Sequence, residues 1–356
     1  MDDTRVCPLL DNPLEYNPDT LDLIQDFEAR VYWLDCFENL VNKYVSYAIQ
    51  SNSEDPSVNT RAEQFKNCYV EAIGKIRKDP FCFGRLSMRL LLDLNETCLR
   101  SQGFVDLWMR QKTLENDAAL ARLKARLDEI DAIDDQDEKW TELCRGLLAG
   151  NMFDWGARAI SDILEKNANF GLREALDKIQ RRPWLVDGLD KWLQRLKGSP
   201  HRCSAIFVDN SGVDIVLGVL PFVRQLLLRN TDVILCANSQ PALNDTTCRE
   251  LRDIVQRAGR ESPEFARATE EGRLVVMENG QKGPCLDLNT LDKELCTSMR
   301  TRAVDLVIIE GMGRALHTNL NAKFKCESLK MAVVKNLWLA RRLGGEIFSV
   351  ICQYET

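Results

Sequence analysis

The sequence predicts an α/β fold: a doubly wound, mostly parallel, Rossmann-like sheet in three α/β/α layers, with an N-terminal helical region. From Ser204 onward, short continuous apolar runs alternate with amphipathic stretches, which is typical of parallel strands covered by helices on both faces. Before that point, apolar residues recur every three or four positions, as they do in helices. Glycine is also sparse as far as Gly146.

The helical period is clearest in three stretches of the first half. These are residues 20–51, 117–133 and 139–166. The pattern of apolar residues changes near "LKGSPHRC", at residues 196–203. We therefore predict a helical region over 1–198 and a Rossmann-like α/β catalytic domain over 199–356.

The second half contains strand-like runs, each short and rich in apolar residues. We predict strands at 204–210, 232–238, 273–279, 305–311, 329–335 and 346–355. The stretches between them with a helical period are 213–230, 245–259, 291–303 and 336–344. Helices that alternate with strands in this way favour parallel pairing.

The composition excludes several classes of protein. A net charge of −7 leaves no excess of Lys and Arg to neutralise phosphates, so we expect no nucleic-acid partner. No apolar run approaches the roughly 20 residues that cross a bilayer, and no secretory signal opens the chain. The 13 cysteines are scattered, which favours reduced, mostly buried thiols in a cytoplasmic protein. With 2 histidines, a zinc site of several imidazoles is not expected.

Polar residues end the predicted strands, where open α/β sheets bind ligands. Asp209 and Asn210 end the first strand, and Asp245 follows the second. Two carboxylates and an amide oxygen suit a divalent ion such as Mg²⁺ or Mn²⁺. The alternative is that Asp209 or Ser211 caps one helix and Asp245 caps the next. Because capping does not explain adjacent Asp and Asn residues, we favour the metal.

The string "EGMGR", Glu310 to Arg314, follows the fourth predicted strand. Its glycines would let backbone N–H groups approach an anion, and Arg314 adds a guanidinium fork. The alternative is an ordinary tight turn. Because Leu316 stands where a third glycine would be needed, the string is not a dinucleotide fingerprint. Lys335 ends the fifth strand, where we expect it to meet a phosphate.

A metal ion, a lysine and an arginine together stabilise a phosphoryl group during transfer. The residues therefore favour metal-assisted hydrolysis of a small-molecule phosphate ester. Phosphatases of the haloacid dehalogenase type are disfavoured, because they need a second Asp where Ser211 stands. The P-loop sequence of kinases is absent.

Four segments resemble the damage-control phosphatase family, formerly called domain of unknown function 89. They are "FVDNSGVDIVLGVLPFVRQLLLR", "PALNDTT", "DLVIIEGMGRALHTN" and "CESLKMAVVKN". The "EGMGR" string marks the second subfamily, and the resemblance extends over most of the chain. In animal relatives this region is fused behind a pantothenate kinase-like domain. Whether this chain is free-standing or excised stays open.

The resemblance implies a phosphatase that uses Mn²⁺, Co²⁺, Ni²⁺ or Mg²⁺ and acts on 4′-phosphopantetheine and its oxidatively damaged forms, such as the sulfonate. That activity would limit coenzyme A synthesis from damaged precursors. It also implies three sets of site residues: metal ligands Asp209, Asn210 and Asp245; substrate-binding residues Ser211, Glu310, Gly311, Met312, Gly313, Arg314 and Lys335; and catalytic residues Asp209, Arg314 and Lys335. Either Asp209 or a metal-activated water would attack phosphorus.

Two other functions stay open at this point. One is a sensor or scaffold whose metal site is vestigial, and the other is a methyltransferase that uses S-adenosylmethionine. The absence of a glycine-rich turn after the first strand disfavours the methyltransferase. Asn151 and Asp154 either cap the end of a helix or line the ligand-binding site. His317 is expected to have no functional role. The oligomeric state is undetermined, and a homo-oligomer is compatible with the sequence.

Overall fold

A computed structural model describes residues 5–154, 156–157, 163–164 and 170–356. Its centre is a seven-stranded sheet in the order β1-β7-β6-β5-β2-β3-β4. The strands are β1 Val186–Asp187, β2 Cys203–Phe207, β3 Asp232–Ala237, β4 Leu274–Glu278, β5 Leu306–Glu310, β6 Glu327–Val333 and β7 Val350–Glu355. All neighbours are parallel except β6 and β7. The predicted doubly wound, mostly parallel sheet is confirmed.

The helices surround this sheet. They are α1 Phe27–Ser51, α2 Val58–Lys78, α3 Met88–Ser101, α4 Met109–Asp131, α5 Gln136–Gly150, α6 Leu172–Lys178, α7 Leu189–Leu196, α8 Leu220–Leu228, α9 Cys248–Glu261, α10 Pro263–Glu270, α11 Lys293–Thr301 and α12 Leu337–Arg342. The predicted helix 20–51 begins late because the Asp26 carboxylate accepts a hydrogen bond from Ala29 N and caps α1 there.

Strand β2 shows why the chain folds in three layers. All five of its residues are buried, and neighbouring side chains point to opposite faces of the sheet. Ile206 joins a core that contains Trp140 of α5, whereas Phe207 joins a second core that contains Trp33 of α1. Apolar residues on both faces require cover on both, which the helices supply.

The chain order creates a crevice at the middle of the sheet. β2 lies between β3 and β5 and is parallel to both. The chain runs outward from β2 through β3 to β4, and then returns to form β5 and β6 on the other side. Such a reversal leaves the carboxyl ends of the two central strands uncovered by a crossover, which makes the ends of β2 and β5 the expected place for a ligand.

Some predicted elements differ in detail. The predicted helix 213–230 begins as a π-helical turn, Asp214–Val219, and becomes α-helical only at α8. In the predicted helix 139–166, α5 ends at Gly150, and residues 155, 158–162 and 165–166 lie outside the described residues. The two-residue strand β1 is too short to carry a sequence period, so it was not predicted.

The predicted boundary at residue 198 stays a prediction. Val186 of β1 precedes that boundary and pairs with Ile351 of β7.

Within the described ranges none of the 13 cysteines is disulfide-bonded, and only Cys82 is exposed. Of the helices that the structure describes, none has both the length and the apolar character needed to cross a membrane.

Candidate active site

The loops that follow β2 and β3 are joined by backbone hydrogen bonds. Asn210 and Asp245 form an isolated antiparallel bridge. Thr246 N donates to Asp209 O at 2.9 Å, and Ser211 N donates to Asn244 O at 2.9 Å. These bonds hold the three residues that the resemblance implies as metal ligands, Asp209, Asn210 and Asp245, next to one another at the sheet edge.

The alternative in which these residues cap helices is wrong. Thr247 caps α9, through Glu250 N, in the place where Asp245 would have done so. The Ser211 hydroxyl lies 3.0 Å from the Thr246 hydroxyl and is fully buried. Asp209 and Asp245 instead turn their carboxylates toward Arg314.

Arg314 is completely buried and lies between two acidic side chains. Its guanidinium forms ion pairs with Asp209 and, at 2.7 Å, with Asp245, and it donates to Asn238 Oδ1 at 3.0 Å. Burial nevertheless raises the pKa of Asp245 to about 7, because the nearby Asp209 charge adds to the desolvation and Arg314 offsets only part of it. One guanidinium does not fully compensate the two carboxylates.

Asp214 is a further acidic group in this cluster that sequence reasoning did not identify. Its Oδ2 accepts hydrogen bonds from Asn210 N at 3.2 Å and from Asn210 Nδ2 at 2.8 Å. Asn151 Nδ2 donates to Asp209 Oδ2 at 2.8 Å. The available signal was the spacing in "DNSGVD", which places two carboxylates on either side of one tight turn. Asp214 begins the π-helical turn, a conformation that is frequent at functional sites.

Asp214 and Glu310 form a buried carboxyl pair. Among the described residues, Asp214 Oδ1 and both Glu310 carboxyl oxygens have no hydrogen-bond donor. Two carboxylates cannot donate to each other, so the two groups pair only when one of them holds a proton. Burial raises the pKa of Asp214 to about 6, and burial together with the Asp214 charge raises that of Glu310 well above its usual range.

Lys335 lies two residues beyond β6 and is fully buried at its ammonium end. Its Nζ donates to Asn151 O at 2.7 Å and pairs with Asp154 Oδ2 at 2.8 Å. Although burial opposes the charged form, the Asp154 and Asp209 carboxylates raise the pKa of Lys335. Asn151 and Asp154 therefore belong to the wall of the site.

The motif glycines serve close packing. Gly311 has a φ of +103°, and a Cβ atom there would overlap the Asp209 carboxylate. A Cβ on Gly313 would overlap the carbonyl oxygen of Pro284. The Gly311 N–H, which we expected to approach an anion, instead donates to Met331 O at 3.0 Å. Gly311 thus acts by allowing β5 and the Asp209 loop to approach each other.

A cavity of about 480 Å³ lies beside the polar cluster. Asp154, Lys335 and His317 line it together with many apolar side chains. The apolar part comes from α1, α3, the start of α12, the π-helical turn after β5 and neighbouring loops: Trp33, Phe37, Leu40, Met88, Leu92, Leu243, Met312, Leu337 and Ile347. A cavity of this size, lined by apolar side chains together with a few charged and polar ones, suits a small organic molecule that carries polar groups.

The cluster fits a divalent cation on the basis of its donors. The described residues include no group of three or more His, Cys, Asp or Glu side chains arranged to hold an ion, so an amide or ligand oxygen has to complete the set. The unpartnered oxygens of Asp214 and Glu310 add further hard donors. Burial is the main cause of the raised pKa values of Asp214 and Asp245, and a nearby cation would oppose it by favouring the ionised carboxylates.

A family of known proteins matches most of the chain. Residues 22–350 match the damage-control phosphatase ARMT1-like domain family. The chain is 44% identical, over 98% of its length and 48% of the relative's, to a 4′-phosphopantetheine phosphatase of Mus musculus. It is 34% identical, over 91% of its length and 87% of the relative's, to a damage-control phosphatase of Arabidopsis thaliana.

Two further comparisons concern fold and length. A solved structure of a DUF89 family protein from Pyrococcus horikoshii has a TM-score of 0.60 and 16% identity, and it covers 91% of this chain and 97% of its own. At that identity the likeness concerns the fold alone. A protein of Arabidopsis thaliana named pantothenate kinase 2 is 39% identical over 99% of this chain and 42% of its own length. The chain thus spans about half the length of several curated relatives.

Proposed function

Because the chain belongs to the damage-control phosphatase ARMT1-like family, we propose that it is a divalent-metal-dependent phosphomonoester hydrolase. The proposed substrates are 4′-phosphopantetheine and its oxidatively damaged forms, such as the sulfonate. One observation carries the proposal: buried carboxylates, Arg314 and Lys335 meet at the carboxyl ends of β2 and β5, beside an apolar cavity. Hydrolysis of damaged precursors would limit their entry into coenzyme A.

The residues that would hold the ion are Asp209, Asn210 and Asp245. A bound Mn²⁺, Co²⁺, Ni²⁺ or Mg²⁺ supplies Lewis-acid charge to the phosphoryl oxygens. Asp214 keeps the Asn210 side chain in place through the bond between Asn210 Nδ2 and Asp214 Oδ2 at 2.8 Å. Orientation of this kind determines how well ligands are presented to a metal.

The cationic residues have separate roles. Arg314 is fixed between Asp209 and Asp245, so it balances charge within the carboxylate cluster. Lys335 lines the cavity, where its ammonium group can meet the substrate phosphate as a point charge. The nucleophile is either the Asp209 carboxylate or a water molecule beside it, and both routes need Asp209 in its ionised form.

The cavity supports the choice of 4′-phosphopantetheine. Lys335 and Asp154 mark its polar end, and the α1 side chains Trp33, Phe37 and Leu40 give it a long apolar wall. 4′-Phosphopantetheine carries its phosphate at one end of an extended, mostly neutral chain. The printed name of the mouse relative agrees with this choice.

The test is phosphate release from 4′-phosphopantetheine by the metal-stripped protein, with and without added Mn²⁺ or Co²⁺. We expect activity only with the metal, and we expect Asp209→Asn to lower kcat by at least about 100-fold, because it removes a ligand charge and the candidate nucleophile. Asp253→Asn is the matched control, since the Asp253 side chain is 60% exposed on α9. Wild-type protein that binds the ester and never releases phosphate would instead identify a sensor.

A further inference from the structure

His317 ends the π-helical turn that follows β5 and borders the cavity described above. Its backbone is held in place, because Thr20 N donates to His317 O at 3.0 Å. Its ring meets Trp33 edge to face, with the ring centroids 5.1 Å apart and an interplanar angle of 85°. The imidazole therefore has a defined position on the cavity wall, in the same lining as Lys335.

One nitrogen of this ring has no hydrogen-bond partner among the described residues. The His317 side chain is buried, and Nδ1 has no hydrogen-bond partner within the part of the chain that the structure describes. Leaving a buried polar atom unpaired costs free energy, so native proteins rarely do so without a reason. The other histidine differs, because His201 Nε2 lies 2.9 Å from Glu327 Oε2.

The ring is uncharged under ordinary conditions. Burial, and then the nearby Lys335 charge, lower the pKa of His317 to about 4. A neutral imidazole has one donor nitrogen and one acceptor nitrogen, which suits a hydroxyl or an amide better than a phosphate. Lys335 already supplies a cation at this end of the cavity.

We propose that His317 is a specificity-determining residue whose imidazole hydrogen-bonds a hydroxyl or amide group on the carbon chain of the phosphate ester, just beyond the phosphate. This inference rests on the proposed function, because it assumes that the cavity holds the organic part of a phosphate ester. Apolar walls alone discriminate weakly between esters. A single polar contact beside the phosphate end would favour esters that carry a hydroxyl or amide there over simple aryl phosphates.

The test compares 4′-phosphopantetheine, which has such groups, with phenyl phosphate, which has none. The readout is the ratio of the two kcat/KM values, which does not depend on the fraction of active protein. We expect His317→Phe, which retains an aromatic ring against Trp33, to lower this ratio on the order of 10-fold, mainly by raising KM for 4′-phosphopantetheine.

Rescue and control variants complete the design. His317→Asn places an amide near the Nδ1 position and His317→Gln places one near Nε2, so recovery of the ratio in either variant shows which nitrogen makes the contact. His201→Phe is the matched control, since His201 pairs with Glu327 away from the cavity. We expect this variant to keep the wild-type ratio.

The outcomes separate the two proposals. An unchanged ratio in His317→Phe, with an active wild type, overturns this inference and leaves the proposed function standing. If the wild type hydrolyses neither ester, the proposed function fails, and calorimetric affinity for 4′-phosphopantetheine decides the inference. Affinity that is equal in wild type and His317→Phe, or undetectable in both, overturns it.

Discussion

At the scale of residues, the candidate site contains more buried carboxyl groups than its cationic side chains can neutralise. Asp209 and Asp245 share Arg314, whereas Asp214 Oδ1 and both Glu310 carboxyl oxygens have no hydrogen-bond donor among the described residues. Desolvation of this kind disfavours the ionised forms and raises acid pKa values. Asp214 and Asp245 therefore hold their protons to higher pH than exposed carboxyl groups do.

Asp214→Asn gives a pH-dependent prediction for the metal-free protein. The folded-state pKa of Asp214 is raised to about 6, so the folded protein holds this proton more tightly than the unfolded chain does. The protonated Asp214 therefore contributes to the free energy of unfolding of the wild type. This contribution is complete below about pH 4 and is lost as the pH rises through 6. The side chain of the variant cannot ionise, so the stability of the variant minus that of the wild type should be more favourable at pH 8 than at pH 5, by on the order of 1 kcal/mol.

Urea unfolding of both proteins in EDTA at the two pH values measures that difference. A difference between wild type and Asp214→Asn that is the same at pH 5 and pH 8 would contradict the assignment of a raised pKa to Asp214. Comparing the two proteins at each pH cancels the contributions of titrating groups that do not interact with Asp214, so the measured difference belongs to Asp214 together with its partner Glu310.

At the scale of elements, the site depends on how closely the strand-end loops approach each other. The loop after β2 is bonded to the loop after β3 through the bridge between Asn210 and Asp245. The loop after β5 approaches from the other side, at Gly311, with no room for a Cβ atom beside Asp209. Three chain segments thus meet at the switch point of the sheet.

Gly311→Ala should disrupt this meeting point. The new Cβ would overlap the Asp209 carboxylate, and the φ of +103° is unfavourable for alanine. We expect unfolding stability to fall by about 2–4 kcal/mol and kcat to fall about 100-fold, because Asp209 has to move. Urea unfolding and steady-state kinetics measure the two effects.

Gly272→Ala is the control for backbone strain alone. Gly272 also has a positive φ, +68°, but a Cβ atom there meets nothing within 4 Å. This variant should lose about 1 kcal/mol of stability and keep its activity. Equal losses of kcat in the two variants would show that contact with Asp209 is not the cause.

At the scale of the whole molecule, the N-terminal helices complete the sheet domain. Trp33 of α1 belongs to the core on one face of the sheet, and Trp140 of α5 belongs to the core on the other. The same helical region supplies Asn151 and Asp154 to the candidate active site. The shared cores couple the stability of the two regions.

We therefore expect the intact protein to unfold in a single cooperative transition. Circular dichroism at 222 nm reports the helices, and tryptophan fluorescence reports buried residues such as Trp140 and Trp192 on one face of the sheet. The urea midpoints from the two probes should coincide, because exposing either core removes the packing of the other region. Separate midpoints would indicate two independently stable domains.

Much of the fold could be predicted because it follows local rules. Continuous apolar runs mark the buried parallel strands, and polar residues end them, as at Asp209 and Glu310. Helix 213–230 was predicted without its π-helical turn, because apolar periodicity does not distinguish the two helical geometries there. Asp214 was missed for a different reason: an acidic residue in the first turn of a helix is usually solvated or caps the helix.

The sequence by itself determined the order of strands β2 to β7, the polar residues at the strand ends, and the family that its motifs resemble, because these depend on short-range pattern. Only the tertiary structure decided which groups meet. Arg314 pairs with Asp209, 105 residues away along the chain, and Lys335 pairs with Asp154. Side-chain partners depend on the packing of segments that are distant in the chain. Because an unpaired buried charge is energetically costly, the charged groups of these segments are stable only where packing places an opposite charge beside them.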